Sequence, residues 1–402
     1  MKIQSALSLA ILTAACSQVH AAALDRTGQS IAAFLEDGNY FEASIAAVEA
    51  DISGQARPQF MTPSTDSSTG NLTNSSTFYN AAIKLQMTPQ FSFGLIYDQP
   101  FGADTAYKAL PNHTFSTDSG LASANVDTQN LSFLFGYQPN ENWNFYAAPV
   151  YETIKGNVKL NGLAFEAISG YQLNVKENSE IGWLAGMAYQ IPEIALKAAV
   201  TYRSEIKHSL TADESFAMPL SALVPMIGTG LTNITTPQSI NLDLQSGITP
   251  TMLVFLNTRW VNWKKFEIKP YAFNKVTEIA TGYPNGLILA DYNKDQISAD
   301  LGLAKKINDQ WSGVMSAGWD SGAGDPTSVF GPIGGYWSAG VGLRFNPAAD
   351  YFIQAGLRYF WLEDATGHSA AYALPGNAEN AKVADYSDNT ALGYLLKIGY
   401  KF

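Results

Sequence analysis

The chain has 402 residues, with 24 Lys and Arg against 35 Asp and Glu, for a formal net charge of −11. Hydrophobic residues make up 46% but charged residues only 15%, well below the roughly 25% usual in soluble domains. The hydrophobic content excludes disorder, and an acidic balance without a basic tract excludes general nucleic-acid binding. Beyond the first twenty residues no apolar run reaches the length of a membrane helix. A large β protein is left, either soluble or a membrane barrel.

The chain begins with a positive charge at Lys2, an apolar run from Ala6 to Ala15 and a small-x-small site at Val19-His20-Ala21. Residues 1–21 therefore read as a secretory signal peptide. Cys16 is the only cysteine, so no intrachain disulfide can form. Thr13-Ala14-Ala15-Cys16 also loosely resembles a lipoprotein site, against the simpler reading in which Cys16 leaves with the leader.

From about residue 39 the pattern is strict alternation, the signature of strands. The first strand is expected at Asn39–Asp51, and Phe91–Tyr97, Leu131–Tyr137, Phe145–Thr153 and Ile181–Tyr189 follow the same rule. Over 195–208 one face carries Leu196, Ala198, Val200, Tyr202, Ile206 and His208, the other Lys197, Arg203, Glu205 and Lys207. That phase puts His208 toward lipid or near the rim. Trp337 to Phe345 and Leu392 to Phe402 alternate equally cleanly.

The punctuation decides between sandwich and barrel. Short turns at 88–90, 138–140, 191–193, 249–251, 307–309 and 346–348 interleave with long connections at 52–76, 100–124, 158–170, 216–235, 268–285, 321–335 and 364–386. Short turns on one side and long loops on the other are the habit of outer-membrane barrels. Six short and seven long connections give fourteen strands, with both termini on the short-turn side. The expected fold is an all-β transmembrane antiparallel barrel. A terminal Phe402 on an aromatic strand suits recognition by the barrel assembly machinery, and the setting implies contact with the bilayer and lipopolysaccharide after Sec-type export. Trp143, Trp183, Trp260, Trp311 and Trp337 fall near strand ends, as aromatic girdles do.

Several segments resemble one family. Tyr202-Arg203-Ser204-Glu205-Ile206-Lys207-His208, Arg259-Trp260-Val261-Asn262-Trp263-Lys264-Lys265-Phe266, Tyr336–Phe345 and Pro100-Phe101-Gly102 are similar in order and spacing to stretches of the FadL-type transporters of long-chain fatty acids and aromatic hydrocarbons. The resemblance covers most of 78–402 and implies a fourteen-stranded barrel, an N-terminal plug and lateral delivery of ligand into the bilayer. The chain departs from the family at the front. Residues 22–38 are only a short plug segment, and the single Asn-Pro-Ala lies at 346–348 in a turn.

Transport of a hydrophobic molecule needs an exposed greasy surface feeding an apolar pocket. Loop 216–231 offers Phe216, Met218, Leu220, Leu223, Val224 and Met226, where loops are ordinarily polar. Methionine suits ligands of varied shape. The competing reading is that this loop folds inward as a cap. Phe101, Tyr107, Leu110 and Phe115 form a second wall.

A fatty-acid carboxylate in an apolar site needs a cation. Arg203, Lys207 and Arg259 are the candidates; structural ion pairing inside the barrel is the alternative. Lateral exit needs a break in the ladder, for which Gly94, Pro100 and also Pro149 are candidates. The chain carries no nucleophile elbow, phosphate loop or Cys/His metal cluster, so neither an enzyme nor a cofactor or metal site is expected. The reading is a passive transporter of hydrophobic molecules, with long-chain fatty acids the leading class. A general hydrophilic porin, a barrel lipase with His113 or His368 beside a lumenal serine, and a surface receptor are the alternatives.

Overall fold

A computed structural model of the chain describes residues 24–72 and 75–402. The proposed leader and Cys16 lie outside the described residues. Fourteen antiparallel strands close into a barrel. They are β1 (Tyr40–Asp51), β2 (Ser76–Gln86), β3 (Phe91–Asp98), β4 (Ser123–Tyr137) and β5 (Trp143–Leu160). Next come β6 (Tyr171–Ile191), β7 (Leu196–Arg203), β8 (Ser239–Thr249), β9 (Met252–Val261) and β10 (Gln296–Lys306). The circuit ends with β11 (Trp311–Asp320), β12 (Tyr336–Phe345), β13 (Tyr351–Leu362) and β14 (Thr390–Lys401). Twelve paired residues join β14 to β1, from Tyr40 opposite Lys401 to Asp51 opposite Thr390, so no edge is left open there.

The two faces of the wall are chemically inverted relative to a soluble protein. Outward positions carry exposed Phe135, Ile181, Leu301, Met315, Val341 and Leu396. Inward positions bury charge: Lys397 pairs with Glu42 at 3.0 Å, and Arg358 pairs with Asp300. An apolar outside and a polar inside are stable only with lipid around the barrel. Aromatic pairs ring the short-turn end, including Phe91 with Tyr137 and Trp311 with Phe345. Phe402 is exposed and stacked on Tyr400.

The expectation of one continuous strand through 195–208 is corrected. Ser204 caps the break, its N–H donating to Trp183 O at 2.9 Å while its hydroxyl accepts from Trp183 N–H at 3.0 Å. The chain then leaves the wall, and Ile206–Leu210 pairs with Thr232–Thr236 instead of β8. Alternation resumes in the opposite phase. Lys207 therefore points out to solvent beside Glu205, and His208 is fully buried rather than facing lipid. Pro149 interrupts only locally: pairing between β4 and β5 skips Ala148 and Pro149 while β5 runs on.

The long connections fold into a dome with its own apolar core. Ile206–Leu210, Thr232–Thr236, Glu267–Lys269 and Ala290–Asp291 form one small sheet; Gly54–Ala56, Lys382–Tyr386, Ala365–His368 and Thr327–Ser328 form another. Helix α1 (Tyr271–Thr281) lies in the connection expected to be plain loop. It is punctuated by Pro270 before it and Gly282 after it at φ +67°.

Candidate ligand-binding site

Residues 24–38 run inside the barrel along its inward face. Phe34 is buried against Tyr146 in a T-shaped pair, and it fits only because β3 and β4 have glycines there. A Cβ on Gly94 would lie 2.5 Å from Phe34, and one on Gly136 2.8 Å. Gly94 itself stays in the ladder, opposite Lys84 and Leu134. Its role in the structure is to receive the arm; the ladder is not broken at this residue.

Two of the cations singled out in the sequence, Arg203 and Arg259, hold this arm. Arg259 Nε donates to Asp25 Oδ2 at 2.7 Å and Nη2 to Gln29 Oε1 at 3.0 Å, while Nη1 donates to Asn241 Oδ1 at 2.7 Å. Arg203 Nη2 donates to the Gln29 carbonyl at 3.1 Å, and Asn241 donates to the Gly28 carbonyl at 2.7 Å. Thr27 donates its hydroxyl to Asp98 at 2.9 Å. Lower down, Lys197 donates to the Leu35 carbonyl at 2.7 Å and Lys401 pairs with Glu36 at 2.9 Å. Both arginines are more than nine-tenths buried and engaged. Lys207 does not join them and pairs with Glu205 at the exposed surface, at 3.2 Å.

At its upper end the arm meets the wall. Arg26 N–H donates to Pro100 O, and Gly102 N–H to Leu24 O, each at 2.8 Å. Here β3 is interrupted. Its pairing with β2 ends at Ala81 opposite Tyr97, the chain detours through Gln99-Pro100-Phe101, and Gly102–Ala106 rejoins β4 alone. Residues 76–80 of β2 thus lack a strand partner on that side, and Tyr79 N–H is met by the Gln99 side chain at 2.8 Å. Pro100 sits in this break.

A cavity of about 160 Å³ lies beside the break. Ser76, Phe78, Gly102 and Ala103 line it from the opening, Leu24 and Arg26 from the arm, and Phe330 and Ile333 from the dome. A smaller, fully apolar hollow adjoins it across Leu24, walled by Phe101, Ile154, Leu173, Ile234 and Trp263. Arg26 is the cation of the larger cavity, 3.2 Å from Asp127; Asp25, Asp104 and Asp291 also border it. Gly102 is needed for that placement, because a Cβ would lie 2.1 Å from Arg26 Cζ.

The aromatic residues expected as an exposed second wall are interior. Phe101 packs edge-on against Trp263 at 5.5 Å, and Tyr107 stacks on Phe115 at 3.7 Å. Tyr107 also hydrogen-bonds Tyr386 through its hydroxyl at 2.6 Å. Leu110 is half-buried under Gly70. Loop 216–231 divides. Leu220 is buried, and Phe216, Leu223 and Val224 pack half-buried on the dome core, whereas Met218 and Met226 are 75% and 70% exposed. The loop leans on α1: Tyr271 donates to Ile227 O at 2.9 Å. Glu214 caps α1, accepting from the N–H groups of Ala272 and Phe273 at 2.9 and 2.6 Å. A carboxylate there meets the helix's unpaired donors and its positive dipole end.

Leu24, Asp25, Arg26 and Glu214 were not singled out in the sequence, and Trp263 and Phe266, which line the hollows, entered only as part of a motif. One signal was available for the arm: the charges of Asp25 and Arg26, in a segment expected inside the barrel, need partners there. Among the described residues no cluster of His, Cys, Asp and Glu could hold a metal ion.

A closed fourteen-stranded barrel with a lipid-facing exterior and its N-terminal arm in the lumen defines an outer-membrane protein. The family model for outer membrane protein transport proteins (OMPP1/FadL/TodX) matches residues 14–402, and the chain belongs to that family. A long-chain fatty acid transport protein of Salmonella typhi is 22% identical over 305 residues, covering 67% of this chain and 66% of that relative. Among solved structures, a Pseudomonas aeruginosa FadL homologue superposes with a TM-score of 0.71 at 14% identity, over 96% of both chains. The P. putida toluene transporter TodX gives 0.59 at 12% identity over 91% and 90%. The Ralstonia pickettii toluene transporter TbuX gives 0.58 at 12% over 96% and 97%. These likenesses establish the fold.

Proposed function

We propose that the chain is a passive transporter that admits hydrophobic molecules through the outer membrane, with long-chain fatty acids as the leading class. The carrying observation is the apolar cavity that touches the arm, the dome and the break in the wall at Gln99–Phe101. A solute seated there has lipid on its far side and no need to cross the lumen. Residues 24–38 act as a plug, held by Asp25, Gln29 and Glu36. Met218 and Met226 provide the exposed capture surface, and Leu220, Leu223, Val224 and Phe216 the packing that supports it.

Arg26 takes over the role first given to Arg203, Lys207 and Arg259. It borders the cavity, and its partner Asp127 is 35% exposed and so is displaceable by a ligand carboxylate. A second reading, an uncharged hydrocarbon, is favoured by Asp25, Asp104 and Asp291 around the same space. A general porin is disfavoured by the arm in the lumen. A lipase is disfavoured because His368 Nδ1 faces the Ser369 carbonyl at 3.0 Å and its ring lies on Tyr372.

The test is uptake of labelled oleate and of toluene by cells in which this chain is the only route. Loss of oleate uptake with Arg26→Gln while toluene passes supports the fatty-acid reading. Equal uptake of both by the variant and the parent favours the hydrocarbon. Uptake of neither by the parent chain overturns the proposal.

A further inference from the structure

A hollow of about 990 Å³ is cut into the lipid-facing wall over β9–β14 and β1. Its geometry follows from register. One outward row runs Met252, Lys305, Gly313, Leu343, Ala355, Leu396, each paired with the next. The row above it includes Leu303, Met315, Val341, Leu357 and Tyr394. Between them lies the inward row, whose side chains turn to the lumen, so the floor is bare backbone, with Gly342 opposite Gly356. The groove climbs as it goes: Met252 is the first residue of β9, whereas Ile45, which pairs with Leu396, is the sixth of β1. Seven strands at the usual spacing make it about 29 Å long, enough for an extended acyl chain.

Two residues at its lower end are not explained by the fold. Gly313 occupies an outward position, yet a Cβ there would meet nothing nearer than 3.8 Å, so packing within the protein does not require glycine. Lys305, beside it, is exposed and lies between uncharged Met252 and Gly313. Among the described residues it is the only charged outward side chain within six residues of the short-turn end of any barrel strand. A lone ammonium on a lipid face is costly unless it reaches the headgroups and finds an anion there.

We propose that this groove is a binding site for one anionic glycerophospholipid of the inner leaflet, its phosphate on Lys305 and an acyl chain in the trough that Gly313 leaves open. The groove opens at the short-turn end, which selects this leaflet over lipid A in the outer one. Across β14 and β1 the chain lies on the seam where the barrel closes. This site faces away from the lumen and is independent of the transport reading, although it rests on the outer-membrane setting.

The test is native mass spectrometry of the full-length protein in detergent with dioleoyl phosphatidylglycerol, and separately with dioleoylglycerol. The parent chain is expected to retain one phosphatidylglycerol and no dioleoylglycerol. Lys305→Met removes the charge, and Gly313→Leu fills the trough. Each is expected to lower the one-lipid adduct at least fivefold while the barrel keeps its heat-modifiable mobility. Equal retention by parent and both variants overturns the proposal, as does equal retention of the two lipids, which marks a greasy hollow without a headgroup site. Oligomers held through this face, in place of a lipid, overturn it as well.

Discussion

Arg259 and Asp25 are 234 positions apart in the chain and 2.7 Å apart in the lumen, and this pair ties the N-terminal arm to the far wall. Both are at least 95% buried, so removing one partner strands the other. A broken buried pair costs about 3–5 kcal/mol, and here the arm can escape the cost by leaving. Asp25→Ala is therefore expected to free the arm without unfolding the barrel. A thiol introduced at Ser30, in a Cys16→Ser background, should react with maleimide at least tenfold faster in the variant. An unchanged labelling rate would show that the remaining hydrogen bonds and apolar contacts hold the arm without Asp25.

Phe34 makes a second, steric prediction. Gly94→Val places a side chain where Phe34 now lies, so the arm must shift and ion conductance should appear in planar bilayers. Gly313→Val, on the outer face with open space around it, should leave conductance unchanged. If Gly94→Val is silent, the arm does not control the lumen.

Capture on the exposed methionines predicts a concentration effect. Met218→Asp with Met226→Asp should raise the ligand concentration for half-maximal uptake severalfold and leave the maximal rate near that of the parent. A fall in the maximal rate alone would place these residues in a later step.

Glu214 predicts a local effect on the dome. Glu214→Ala removes both backbone caps of α1, and cap removal costs about 0.5–2 kcal/mol. Limited proteolysis should then cut within 262–295 sooner, while the barrel strands stay protected. Unchanged cleavage would mean that packing against loop 216–231 suffices.

Outside the membrane, Arg57 clamps Asp385 with Nη2 to Oδ1 at 2.9 Å, and this hydrogen bond holds the carboxyl below the usual range. A depressed carboxylate contributes stability above its unfolded pKa and loses it as pH falls through the folded value. Hydrogen-exchange protection of Lys382–Tyr386, corrected for intrinsic rate, should therefore drop as pH falls below about 4. In Arg57→Gln the drop should be much smaller.

The barrel was legible because lipid outside and polar residues inside impose a period of two on every strand, and turn length marks the two ends. Legibility failed where tertiary contacts override the local pattern. The run through 195–208 reads as one strand, but Ser204 turns its hydroxyl to Trp183 and reverses the phase, which moved Lys207 out and His208 in. The inward placement of Arg203 could be read, whereas that of Arg259 could not, because its strand is apolar on both faces; the partners of neither could, because Gln29 and Asp25 lie more than 170 positions away. Phe101, Tyr107 and Phe115 looked like exposed loop aromatics because nothing local announces the dome that buries them. Helix α1 was readable in principle from Pro270 and Gly282, but its aromatic, β-branched composition carries little helical propensity.

The measurement that tests the account most directly is the conductance of the refolded parent chain in a planar bilayer, with and without a long-chain fatty acid. Near-zero ionic current is expected in both conditions alongside saturable binding of the fatty acid, because the lumen is occupied and the ligand route leads through an apolar cavity to the wall. A large ohmic current indifferent to fatty acid would contradict it, and would make the molecule an open pore on the same fold.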